Sequence, residues 1–165
     1  MDPAAIYTRV RERFGDAIGE LTGSGRTAGC TVAPARVAEV AAWLRHEPGL
    51  AFDCLSTLAG VDYPKRNVIQ VVYVLYSYRA RHWFTLRVDA PRDDPRVASV
   101  SGVWSAAEWH EREVFDLLGV HFDGHPDLRR LLMPEDWPGH PLRKDFVEPE
   151  EYHGIRTSRE SLLKA

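Results

Sequence analysis

The sequence predicts an α+β fold, with helices packed on one face of a mixed or antiparallel sheet and an extended C-terminal tail. Three observations carry that expectation. Apolar residues recur at helical spacing in two early segments, ahead of three consecutive segments of strand character. A helix with a start signal and a glycine stop follows over 105–119. From Val120 onward helical periodicity stops, and prolines stand at 126, 134, 138, 141 and 149. The expected partition is a compact domain over 1–119 and an extended docking tail over 120–165.

Element by element, Ala4 to Phe14 repeats Ile6, Val10 and Phe14 every fourth residue, which gives a short helix one apolar face. The stretch from Leu21 to Gly29 is rich in Gly, Ser and Thr and reads as a flexible turn, with Cys30-Thr-Val32 as the end of a strand. Pro34 suits the first turn of a helix, where its missing N–H has no partner to lose. Val37, Val40, Ala41 and Leu44 supply the buried stripe of that helix, and Pro48-Gly49 ends it. Ala51 to Gly60 is a mixed apolar segment, and Val68 to Tyr76 is dense in β-branched and aromatic residues. Trp83 to Val88 alternates, with Phe84, Leu86 and Val88 on one face and Thr85, Arg87 and Asp89 on the other. Pro91-Arg-Asp-Asp-Pro95 breaks the pattern. Ser105-Ala-Ala-Glu108 reads as a capping box, and Gly119 as the left-handed stop of the helix it opens.

Composition narrows the function classes. The 165 residues carry a formal net charge of -3 with acids and bases interspersed, which is not the basic stripe a nucleic-acid binder presents. No stretch approaches the roughly 18 apolar residues of a membrane span. Met1-Asp-Pro-Ala-Ala lacks the basic and hydrophobic regions of a signal peptide, so export is not expected and any membrane association is expected through a partner. Cys30 and Cys54 form no C-x-x-C and no cluster spacing, and read as two reduced, buried thiols.

Four constellations could carry chemistry. Glu111-Arg112-Glu113-x-x-Asp116 sets three carboxylates on one helix, with Glu111 in the apolar stripe of Ala107, Val114 and Leu118. They could act as a general acid/base pair or a metal site. The structural reading is a set of ion pairs to Arg129, Arg130, Arg143 and Lys144, because a buried carboxylate is costly unless paired and guanidinium suits bidentate pairing. On that reading Glu113 and Asp116 are surface neighbours, and Arg143→Ala strands a carboxylate. Second, His110, His121, His125, His140 and His153 crowd the last third without an H-E-x-x-H, and read as turn or interface residues ahead of a zinc site. Third, the glycines of Gly23-Ser-Gly25-Arg-Thr-Ala-Gly29 match neither a dinucleotide fingerprint nor a phosphate loop. Fourth, the tail alternates hydrophobic anchors with arginines from His125 to Trp137 and again from Gly139 to Asp145, as a docking strap would.

Glu111-Arg-Glu113-x-x-Asp116-Leu-Leu-Gly119, His125-Pro-x-Leu-Arg129-Arg130 and Pro141-Leu-Arg143-Lys144-Asp145 together resemble the signature of the C subunit of respiratory complex I (NADH–quinone oxidoreductase) and its mitochondrial and chloroplast counterparts. The resemblance is strong from Trp104 to about Tyr152 and looser through Gly60-Val-Asp-Tyr-Pro64 and Asp94 to Val100. It implies a compact α+β domain whose tail packs on the large subunit forming the quinone pocket, beside neighbouring iron–sulfur subunits. It implies no cofactor in this chain, with FMN and iron–sulfur clusters held by partner subunits, and a peripheral place on the cytoplasmic side of the bacterial inner membrane. The enzyme as a whole passes a hydride from NADH to FMN and electrons onward to quinone while protons are translocated. Carried over, Glu111, Arg112, Glu113, Asp116, His125, Arg129, Arg130, Pro141, Arg143, Lys144 and Asp145 are structural and assembly residues; Trp137 is an interface anchor by its residue type alone. Two further readings stay open: the equivalent subunit of a membrane-bound hydrogenase or other-donor dehydrogenase, and a stand-alone metal-dependent hydrolase built on the carboxylates and histidines.

Overall fold

The computed structural model describes residues 1–157, so the end of the expected tail, 158–165, lies outside the described residues. Helix α1 (Pro3–Phe14) opens on its proline and buries Ile6, Val10 and Phe14, the face its spacing foretold. Strands β1 (Ile18–Thr22) and β2 (Gly29–Val32) pair antiparallel. The flexible turn expected over Leu21–Gly29 is corrected here: its start is strand, and Gly25–Thr27 is a 3-10 turn in which Thr27 Oγ1 donates to the Ser24 carbonyl at 2.8 Å. Leu21 and Thr22 are drawn into the sheet by pairing with Cys30 and Gly29. Gly29 is required by contact, since a Cβ there would stand 1.7 Å from the Thr85 carbonyl oxygen.

Helix α2 (Val37–His46) buries Val37, Val40, Ala41 and Leu44 and connects β2 to a meander of β3 (Cys54–Tyr63), β4 (Val68–Ser77) and β5 (His82–Pro91). The sheet order is β1-β2-β5-β4-β3, antiparallel except for the parallel β2–β5 pair, so the sheet is mixed. Along β4, Ile69, Val71, Tyr73 and Leu75 are fully buried, while Val72, Val74 and Tyr76 on the opposite face stay half-buried. The buried set joins the helix stripes in one core, so the helices line one face of the sheet.

Strand β6 (Arg96–Ala98) runs parallel to β7 (His121–Asp123), pairing Arg96 with His121, and the two bracket helix α3 (Ala107–Leu118). The expected capping box does not form. Trp104 anchors the preceding turn by donating from Nε1 to the Phe52 carbonyl at 3.0 Å, and its own carbonyl accepts from Ala107 N. The chain is therefore already in the αR region at Ala106, and no side-chain bond caps the helix. A capping serine must instead sit in extended backbone. Gly119 at φ 77 ends α3 as expected. Val120 and Phe122 belong to the core. Beyond β7 the chain runs through irregular turns to a short hairpin, β8 (Glu151–Tyr152) with β9 (Ile155–Arg156). Among the described residues no helix is long and apolar enough to cross a membrane.

Candidate functional site

The residues singled out on α3 and in the segment after β7 meet in one clasp, and Asp116 is its centre. Its side chain has no solvent exposure. Oδ2 accepts from the backbone amides of Leu131, Leu132 and Met133 at 3.0, 2.7 and 2.8 Å, and Oδ1 from Arg130 Nη1 at 2.9 Å. Burial works to raise its pKa, but these four bonds outweigh burial and hold the carboxyl below the ordinary carboxylate value. The surface pairing of Glu113 with Asp116 is thus corrected: Glu113 is exposed, whereas Asp116 is covered by the chain it binds. Arg130 continues from Asp116 to the carbonyls of Trp137 and Gly139 through Nη2, at 2.9 and 3.1 Å.

The same segment closes the C-terminal end of α3. A helix leaves its last four carbonyls without intrahelical partners. Here Gly119 N reaches Phe115 O, His140 Nδ1 reaches Asp116 O at 2.9 Å, Leu142 N reaches Leu117 O at 3.0 Å, and Arg143 Nε reaches Leu118 O at 2.8 Å. Arg143 therefore serves a carbonyl, which corrects the carboxylate expected for it. Burial lowers the pKa of His140 and keeps the ring neutral near pH 7. Pro141 lies half-buried between these donors.

A second socket lies at the end of β3. Arg92 grips Asp62 with Nε and Nη2 at 2.7 and 2.9 Å, and Lys144 contributes its backbone amide to Asp62 Oδ2 at 2.8 Å. Arg92 also donates to Asp145 Oδ1 at 2.6 Å, so it bridges the sheet to the tail. The Arg92 bond is the largest influence holding the Asp62 carboxyl below its ordinary range.

Smaller contacts complete the clasp. Arg112 donates to the carbonyls of Arg129 and Arg130 at 3.2 and 3.1 Å, with its guanidinium 5.0 Å from the Trp109 ring centre. His125 bonds to the Glu108 carbonyl through Nε2 at 3.1 Å, and its Nδ1 accepts from Asp127 N. Arg129 pairs with Asp127 at 2.9 Å. The Trp137 ring packs 4.9 Å from Tyr152, whose hydroxyl donates to Asp136.

Glu111 stands apart from the clasp. It is fully buried, yet no tail cation reaches it among the described residues. Ser99 Oγ and Val100 N donate to it at 2.6 and 2.7 Å, and burial raises its pKa against the pull of those bonds. Glu111, Glu113 and Asp116 thus face three different surroundings. Among the described residues no three His, Cys, Asp or Glu side chains group so as to hold a metal ion. Sequence reasoning missed Asp62, Arg92, Ser99 and His140 as partners. A signal existed for Asp62, a carboxylate in register with buried Ile69 on an inward-facing strand position.

The family model for the 30 kDa subunit of respiratory-chain NADH dehydrogenase matches residues 30–152, which includes both sockets and almost the whole clasp. The chain belongs to this family. Similar to it is the C subunit of NADH-quinone oxidoreductase from Chlorobium phaeobacteroides, 42% identical over 154 residues, covering 92% of this chain and 93% of that one. The same subunit from Chloroherpeton thalassium is 39% identical over 91% of this chain, which spans 63% of that longer relative. Among solved structures, a trypsin-resistant fragment of Nqo5 superposes with TM-score 0.61 and 29% identity, covering 78% of this chain and all of the fragment. A protein of an archaeal membrane-bound sulfane sulfur reductase shares the fold at TM-score 0.72 and 23% identity, covering 87% of this chain and 85% of that one. For the 30 kDa family, then, this chain provides an α+β domain with its C-terminal segment clasped to α3.

Proposed function

We propose that this chain is a non-catalytic scaffold subunit of the peripheral arm of a proton-translocating NADH–quinone oxidoreductase. In this reading residues 1–119 are the compact domain, completed by β7, and the remainder of 120–165 is the docking tail, which lies on the large subunit forming the quinone site, beside iron–sulfur subunits. FMN and the clusters belong to those partners, and the chain sits on the cytoplasmic side of the bacterial inner membrane, held there by them. The eleven residues carried over from the family signature act in structure and assembly, and Trp137 as an interface anchor.

One observation carries the reading. Among the described residues, Arg130, His140, Arg143, the Lys144 amide and Asp145 bond to the chain's own domain, while Leu132, Leu142, Val147 and Ile155 stay exposed at 61, 54, 84 and 71%. A strap held in shape by Asp116 and Asp62, with a series of large apolar side chains outward, is preorganised for a protein partner. Of the two thiols expected to be buried, Cys30 is, and burial pushes it up to about 12, whereas Cys54 is only half-buried. The test is Asp116→Asn in the native host. The amount of assembled complex is expected to fall while NADH–quinone turnover per assembled complex is unchanged. Full assembly with collapsed turnover contradicts a scaffold role.

A further inference from the structure

We infer that the face of the sheet turned away from the helices is a second docking surface, fitted to a segment of a neighbouring subunit with an apolar centre and acidic flanks. The inference rests on the subunit reading only in needing a neighbour; it uses no tail residue. A solvated face of an antiparallel sheet ordinarily alternates to polar residues. Here Val72 and Val74 hold the centre of the outward face of β4, between Gln70 and Tyr76, with Ala59 beside Val72 and Val61 beside Gln70 on β3, and with Arg87 and Thr85 facing the two valines from β5. This aliphatic band ends in aromatic groups. At one end the Tyr76 and Trp83 rings lie 4.4 Å apart, and Tyr78, 69% exposed, stands edge-on to Tyr76 at 5.0 Å. At the other end is Tyr63, 37% exposed like Val61. A contiguous apolar surface of this kind marks an interaction site.

The charge around the band selects the partner. The chain is acidic as a whole, yet the band is bordered by Lys65 and Arg66 at the Tyr63 end and by Arg79 and Arg81 in the turn after Tyr78. Arg66 stands 5.3 Å from the Tyr63 ring centre, and Arg26 stands 4.8 Å from that of Trp83. Two nearby acids are already engaged, Asp89 with Arg66 and Gln70 and Asp53 with Tyr78 N, while Asp93 and Asp94 stand exposed beyond Pro91. A second copy of this chain would set cations against cations, so the charge favours an acidic partner. A single-stranded nucleic acid needs rings laid open for base stacking. Here the rings stack on one another and beneath arginine, around an aliphatic centre, which favours protein.

The test places a photo-crosslinking residue in the full chain in its native host, as Val61→p-benzoylphenylalanine on the face and, separately, as Val147→p-benzoylphenylalanine on the tail. The Val61 probe is expected to capture one subunit at a peptide with apolar residues flanked by Asp and Glu. The exposed pair Lys65→Glu and Arg79→Glu is expected to cut that capture roughly tenfold and to leave the Val147 capture unchanged. The inference is overturned if Val147 captures a subunit while Val61 captures none, a second copy or nucleic acid, or if its capture is indifferent to the charge reversal. Failure at both positions overturns the subunit reading and this inference with it.

Discussion

Asp116 and Glu111 lie on one helix and both are fully buried, yet their surroundings move them in opposite directions. Asp116 has a guanidinium and three amides, so its charged form is favoured. Glu111 has one hydroxyl and one amide, and burial prevails. Glu111→Gln keeps an acceptor for Val100 N and removes a disfavoured charge, so stability at neutral pH is expected to stay within about 1 kcal/mol of the parent. Glu111→Ala strands that amide and opens a cavity, at a cost of about 3 kcal/mol. Urea unfolding of the two variants separates these outcomes. Asp116→Ala removes four acceptor contacts at once and is expected to cost about 2–4 kcal/mol in the same measurement. The pH dependence follows from the signs. Asp116 and Asp62, lowered in the fold, contribute stability that is complete above the ordinary value of 3.8 and lost as pH falls through their folded values. His140, also lowered, loses its contribution as pH falls below 6.5. Glu111, raised, acts oppositely, costing stability as pH rises above 4.5. The midpoint of thermal unfolding is therefore expected to drop steeply below about pH 4, and to drop less steeply in Asp116→Asn.

Helix α3 and the segment that closes it behave as one unit, because each of the last four helix carbonyls receives a donor from Gly119 or the tail. Arg143→Ala leaves the Leu118 carbonyl without its donor. About 1 kcal/mol is expected to be lost, with less assembled complex and unchanged turnover per complex. Gly119→Ala meets two obstacles, the left-handed backbone and the His140 ring 2.6 Å from the new Cβ. It is expected to cost more than the roughly 1 kcal/mol of conformation alone, read as faster proteolysis beyond residue 123. The helices and long strands were legible in the sequence because their signal is local: Val37, Val40, Ala41 and Leu44 repeat within one helix. Strands β1, β6 and β7 were not. They are three to five residues long, and β6 exists only because Arg96 meets His121 across α3. The Ser105 capping pattern misled for a related reason, since a local motif does not report that Trp104 has already set the backbone helical.

For the molecule as a whole, the α+β class, the one-sided helices and the pairing of an α3 carboxylate with a tail arginine were readable from patterning and motif. The pairings were not, because Asp62 meets Lys144 and Arg92 meets Asp145 across long spans of chain, where spacing carries no information. Glu111 illustrates the same limit: the stripe showed it buried, while Ser99, its partner, looked like an ordinary loop serine. The central claim is that this chain serves as a docked scaffold in a redox complex. It is tested most directly by tagging the full chain in its native host, solubilising membranes gently and identifying what is recovered with it. The account predicts a large assembly containing flavin, iron–sulfur proteins and NADH–quinone activity, with less of it recovered for Asp116→Ala. A lone chain, recovered under conditions that preserve other membrane complexes, contradicts it.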